Sequence, residues 1–198
     1  MTRKHLLFLL FTFLCFTVSG QTIEYRNDSL FVNNTYVNAQ TTKAALDSLL
    51  KSKGKIKKSK ADIRKCPASN KKVFTTTYFY HDLGLFFRKF DCDTTALSVG
   101  IKLYYDTDSK FDKSVSELRK TFNGQLIIAG NVINDKREIR ELEQMQNCRV
   151  TITKLNAGSY ETILGGDIFY GEQTIRLAFD SKTNKLTSVF FHYGFKNQ

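Results

Sequence analysis

The sequence predicts an α+β fold: antiparallel sheets with two helices, arranged as an internal duplication of a ββαβββ unit. Three observations carry this. Residues 30–50 and 126–146 read as two copies of one pattern, 96 positions apart. Leu30-Phe31-Val32-Asn33-Asn34-Thr35-Tyr36-Val37-Asn38 matches Leu126-Ile127-Ile128-Ala129-Gly130-Asn131-Val132-Ile133-Asn134, and the match continues through Leu46/Leu142, Asp47/Glu143 and Leu49/Met145. The 17 Phe and 9 Tyr, with short runs of Val, Ile and Thr, favour strands. Finally, each hairpin-like pattern is followed by one window of helical spacing.

Residues 1–20 have the layout of a signal peptide. Arg3, Lys4 and His5 precede an apolar run from Leu6 to Val18, and Val18-Ser19-Gly20 suits cleavage ahead of Gln21. That run is too short for a permanent membrane span, and no later stretch approaches one. Cys15 follows the large Phe13-Leu14, which does not suit a lipoprotein site. The expectation is an exported chain, periplasmic or secreted, forming a single domain over residues 21–198.

Thr22 to Tyr25 suits a short strand. Leu30–Val32 and Thr35–Val37 flank Asn33-Asn34, a pair that tolerates the positive φ of a two-residue hairpin turn. Thr41 or Thr42 can cap a helix from Lys43 to about Lys53, with Ala45, Leu46, Leu49 and Leu50 as its apolar stripe and Gly54 as its stop. After a basic segment come a β-run from Val73 to Tyr80, a turn at His81–Gly84, a strand from Leu85 to Phe90, a turn at Asp91–Thr95 and a strand from Leu97 to Tyr105. This half, 21–108, reads as hairpin, helix and three-stranded meander. The bridge 109–121 lies in a polar stretch where Phe111, Val115, Leu118 and Phe122 have the spacing of a short helix.

The pattern then returns over 122–198. Leu126–Ile128 and Val132–Ile133 form the hairpin, and Asp135 caps a helix to about Gln146 with Ile139, Leu142 and Met145 inward. Strands follow near 148–153, 160–164, 174–179 and 186–193, with turns at Gly158-Ser159, Gly165-Gly166 and Asp180–Asn184. Phe90-Asp91 aligns with Phe179-Asp180, and Leu97 with Leu186, at an offset of 89. The offset falls from 96 to 89, so the second copy is shorter between its helix and its final strands, largely where the first copy carries the basic segment as an insertion.

Charge is concentrated in one place. Beyond residue 20 there are 28 basic and 19 acidic residues. The window 51–72 holds ten of the basic ones and a single acid, Asp62, so the remainder is neutral at 18 against 18. Lys51, Lys53, Lys55 and Lys57 alternate and would line one face of an extended chain, followed by Lys58, Lys60, Arg64 and Lys65. Such a row suits the phosphates or carboxylates of an anionic envelope component or an acidic protein. Aromatics do not interleave with it in sequence, so nucleic acid is not indicated.

Other chemistry is thin. Cys66, Cys92 and Cys148 remain after cleavage and can close one disulfide in three ways. None has the neighbours of an activated thiol, and no Cys/His spacing suits a metal. Asp106, Asp108, Asp112 and Glu117 track a calcium loop superficially, but Lys110 and Phe111 fall where a ligand and a glycine are needed. His81-Asp82 is the one His–acid pair of neighbours, better suited to a turn than to general acid–base work, and His192 suits a strand face. No nucleophile elbow, phosphate loop or dinucleotide fingerprint is present, and no cofactor is implied. The expectation is a non-catalytic exported interaction module. The alternative is a small periplasmic or secreted hydrolase using His81 and Asp82.

One resemblance adds to this. Phe122-x-Gly124-x-Leu126-x-Ile128-x-Gly130-x-x-Ile133 and Tyr78-x-Tyr80-His81-Asp82-Leu83-Gly84-Leu85 resemble the signature segments of an uncharacterised exported family of the Bacteroidota, a domain of unknown function. Those motifs are turn glycines and strand hydrophobics. The resemblance implies a bacterial envelope or secreted setting and brings no activity with it.

Overall fold

Tight turns built from residues that tolerate positive φ organise the first layer. Asn27-Asp28 closes β1 (Thr22–Arg26) onto β2 (Ser29–Val32), and Asn33-Asn34 closes β2 onto β3 (Thr35–Val37), all four with φ between 49° and 64°. Ala129-Gly130 does the same between β8 (Gln125–Ile128) and β9 (Asn131–Ile133). The two hairpins join through β1, which pairs antiparallel with β2 and parallel with β8, in the order β3-β2-β1-β8-β9. In each half a turn asparagine donates to the end of the helical segment that follows: Asn33 Nδ2 to the Leu49 carbonyl at 2.7 Å, and Asn131 Nδ2 to that of Gln146 at 3.0 Å.

The computed structural model describes residues 20–65, 70–91, 96–104, 113–156, 162–170 and 173–193, with the backbone alone at 61–65, 154–156, 162–164 and 192–193. Helix α1 (Lys43–Leu50) starts where Thr42 Oγ1 accepts the Ala45 amide. It ends earlier than expected, because Lys51 itself takes the left-handed conformation at φ 48°. Gly54 is not the stop. Its hydrogen makes room for the Tyr80 ring, which a β-carbon there would approach to 2.8 Å. A single turn, α2 (Lys113–Ser116), occupies the bridge, and the calcium-loop residues Asp106, Asp108, Lys110, Phe111 and Asp112 lie outside the described residues. Helix α3 (Ile139–Glu143) begins at Glu138 rather than Asp135, in a capping box with Glu141.

The second layer is an eight-stranded antiparallel sheet. Its strands are β4 (Lys55–Lys65), β5 (Lys72–Tyr80), β6 (Leu85–Asp91), β7 (Ala96–Lys102), β10 (Arg149–Asn156), β11 (Thr162–Tyr170), β12 (Gln173–Phe179) and β13 (Leu186–Tyr193). Their order is β10-β11-β12-β13-β7-β6-β5-β4. Both halves therefore run hairpin, helix, four-stranded meander, where three strands were expected in the first. The basic segment, read from sequence as an insertion, is an edge strand with β10 as its counterpart. Gly165-Gly166 is not a turn but the middle of β11, where Gly166 leaves space for the Ile152 side chain. The described residues are mainly β, with three short helices among them.

One face of the eight-stranded sheet packs on the hairpin layer and on α1 and α3. Tyr80, Leu85, Phe87, Leu97, Val99, Ile101, Leu177, Phe179 and Phe191 meet Ile23, Leu30, Leu46, Leu126 and Leu142 there. We call this the inner face. A smaller cluster on the outer face holds Phe79, Phe86, Ala178 and Phe190 under Val115 and Leu118, next to α2. Phe90 falls on the outer face, opposite Thr75, whereas Phe179 is inward with Leu177. The sequence match between these two is therefore one residue out of register, and one residue exchanges the faces of a strand.

Candidate functional site

The lysines predicted as one row are divided among three settings. Lys51 caps α1, and Lys53 is exposed in the loop after it. Lys55 and Lys57 lie on β4 opposite Phe79 and Thr77 and so face outward with them. Lys58 and Lys60 lie opposite Thr76 and Phe74, on the inner side. Arg64 and Lys65 follow on the same strand, beyond a register irregularity between Lys60 and Lys65. From 55 to 60 every residue is exposed, so that stretch of β4 shows no inside–outside alternation.

Local bonds fix this strand. Ser59 Oγ and Thr75 Oγ1 are 2.7 Å apart across the β4–β5 pair and pin the register. Lys57 Nζ reaches Glu117 Oε1 at 2.5 Å, which ties β4 to the segment after α2. Among the described residues no acidic group is paired with Lys55, Lys58 or Lys60. On the inner side the same corner exposes two large apolar groups, Ile56 at 56% and Phe74 at 54%. Lys89 stands beside them with its ammonium 6.0 Å from the Tyr78 ring centroid, and burial pulls its pKa below the usual lysine range. Sequence reading missed Phe74 and Tyr78 as neighbours of the lysines, because strand pairing rather than chain order brings them together.

Behind this corner the sheet is anchored to α1. Asp47 Oδ1 accepts from the Tyr80 hydroxyl at 2.9 Å and from the Gly54 amide at 3.0 Å, while Oδ2 meets Lys43 Nζ at 2.5 Å. Burial by itself would raise the Asp47 carboxyl, but the bonds from Lys43, Gly54 and Tyr80 outweigh it and hold the group below the ordinary carboxylate range. Burial, and then the Asp47 charge, push the Tyr80 phenol far above its usual value.

His81 and Asp82 sit in the expected turn, which the Leu83 amide closes by donating to the Tyr80 carbonyl. Gly84 supplies φ 68° there, where a β-carbon would strike the backbone at Thr121 and Phe122. The His81 ring stacks on Phe79 with centroids 5.2 Å apart, and Nδ1 donates to the Glu117 carbonyl at 2.9 Å. The group orienting His81 is therefore main chain and not Asp82, and no nucleophilic side chain is bonded to it among the described residues. A small apolar cleft lies between Tyr25, Val99, Ile175 and Phe191, with room for about one water, and His81 does not line it.

Of the cysteines, Cys148 is a free, half-buried thiol just ahead of β10, raised in pKa by burial. Cys66 and Cys92 lie outside the described residues, as does the His192 side chain. Among the described residues no three His, Cys, Asp or Glu side chains converge as a metal site would require. No described helix is long and apolar enough to cross a membrane.

The fold thus defines a mainly β, α+β protein with a run of exposed lysines along one sheet edge. The chain belongs to the family built on a domain of unknown function, DUF7738, which matches residues 22–143. That stretch runs from β1 through α3 and stops ahead of β10 to β13. No curated protein and no solved structure matches the chain.

Proposed function

We propose that this protein is an exported, non-catalytic interaction module that holds an anionic partner, an envelope component or an acidic protein, against strand β4. The observation that carries the reading is the exposure of Lys55, Lys57, Lys58 and Lys60 on one edge strand, with Glu117 as the single acid paired with them among the described residues. Export rests on the signal-peptide layout of residues 1–20, with the working chain starting at Gln21. Gln21 is itself built into the fold, since Nε2 donates to the Leu50 carbonyl and Oε1 accepts from Asn33. A bacterial envelope or secreted setting of the Bacteroidota kind rests on the resemblance of the Phe122–Ile133 segment. Duplication of an ancestral hairpin–helix–meander unit is supported by the shared element order of the two halves and by their matched turn-asparagine bonds.

The test is salt-dependent retention on an anionic resin and on anionic lipid vesicles. Replacing Lys55, Lys57, Lys58 and Lys60 by Ser is expected to abolish it. A charge-matched control, Lys120, Lys136, Arg140 and Lys182 to Ser, is expected to keep most of it. Equal losses in the two variants would reduce the effect to net charge and defeat the proposal.

A further inference from the structure

We infer that the partner of β4 is an extended, acidic protein segment that adds to the sheet as a ninth strand beside residues 55–60. This rests on the anionic-partner reading above and specifies how the contact is made. Among the described residues β4 pairs with β5 alone, so one side of its backbone has no strand partner. Such an edge is a template for strand addition, in which main-chain hydrogen bonds supply affinity and alternate side chains supply selectivity. The β4–β5 register is regular from Lys55 to Lys60 and shifts before Lys65, which limits the regular edge to that stretch.

The placement of the lysines selects the partner. A flat anionic surface meets one face of a sheet at a time. Here Lys55 and Lys57 project on the outer face and Lys58 and Lys60 on the inner face, so one planar surface does not engage all four. An added strand alternates its side chains between those same two faces and places acids beside lysines on both. Ile56, more than half exposed on the inner side, asks for an apolar residue next to it, with exposed Phe74 one strand further in. The partner segment therefore carries acidic residues at both parities and an apolar one among the inward-facing positions.

Charge also excludes either edge of this sheet in a second copy as the partner. A second β4 would set lysine against lysine, and the opposite edge, β10, carries Arg149 and Lys154 with no acid in its span. Lysines on an edge are a common device against indiscriminate sheet growth, and they leave the edge open to a segment of opposite charge.

The experiment measures binding of a short synthetic peptide of Glu, Thr and Val by fluorescence anisotropy. Two further peptides of the same sequence are N-methylated along one backbone edge or the other, which removes strand donors and keeps the charge. The unmodified peptide is expected to bind the wild-type protein. Binding should weaken about tenfold or more for one methylated peptide and for the Lys55, Lys57, Lys58 and Lys60 to Ser variant, with circular dichroism showing that variant folded. Equal, salt-sensitive binding of all three peptides would overturn strand addition while leaving the anionic-partner reading intact. Binding to phosphatidylglycerol vesicles or single-stranded DNA with none to the peptide would overturn it in favour of another class of partner. No binding to peptide, vesicle or anionic resin would defeat both readings.

Discussion

The two halves of this molecule share an element order and differ at corresponding places. Leu46 on α1 and Leu142 on α3 are both fully buried in one core. The acids that follow them part company. Asp47 accepts from Tyr80 at the end of β5, whereas Glu143 is exposed, and Tyr170 at the end of β11 takes its hydroxyl contact from the Asn27 amide and packs edge-on against Tyr25. The meander edges part further: β4 runs eleven residues and is densely cationic, and β10 runs eight. The lesson is that the apolar interior is held in common, while the polar anchor and the charged edge belong to the first half. The proposed binding edge, β4, thus lies in the part that differs between the halves.

The largest expected effect tests the common part. Leu46→Ala and Leu142→Ala should each cost about 2–5 kcal/mol in urea unfolding, since each empties a filled site. A cost below about 1 kcal/mol for Leu142→Ala would show that α3 is not the packing equivalent of α1. The anchors come next. Asp47→Asn should cost about 1–3 kcal/mol, because it weakens bonds to Tyr80, Gly54 and Lys43, and Glu143→Gln should stay within about 0.5 kcal/mol. The pH dependence follows from the lowered Asp47 pKa. The folded state binds its proton less readily than the unfolded chain, so the contribution is complete above the ordinary carboxylate pKa and is lost as pH falls through the lower folded value. Wild type should lose stability in that acid range more steeply than Asp47→Asn. Parallel curves would remove Asp47 as the anchor. The raised Tyr80 pKa acts in the opposite range: its contribution is present below about pH 10 and is lost as pH rises beyond it.

Much of the hairpin layer was legible because its signals are local. Asn33-Asn34 and Ala129-Gly130 announce their turns, and Leu46, Leu49 and Leu50 announce a helix face. The boundaries of α1 and α3 were less so. Lys51 in the left-handed region and a capping box at Glu138 end and begin these helices where Gly54 and Asp135 looked better suited. Strand β4 was hidden for a physical reason: exposed on both faces from 55 to 60, that stretch has no hydrophobic alternation, and its pairing with β5 is what makes it a strand. The Phe90–Phe179 match misled because β12 and β13 shift register at Ala178/Phe179, and identity in sequence does not register a one-residue slip. At the candidate site the lysines themselves were visible in sequence. Their division between two faces, and the nearness of Phe74, Tyr78 and Lys89, required the strand register.

The contrast between the two sheet edges can be read in one measurement, hydrogen–deuterium exchange with and without the acidic peptide. The account predicts slowed exchange over residues 55–60 and no change over 149–156. Unchanged exchange at 55–60, or equal protection of both edges, would contradict the assignment of β4 as the binding strand.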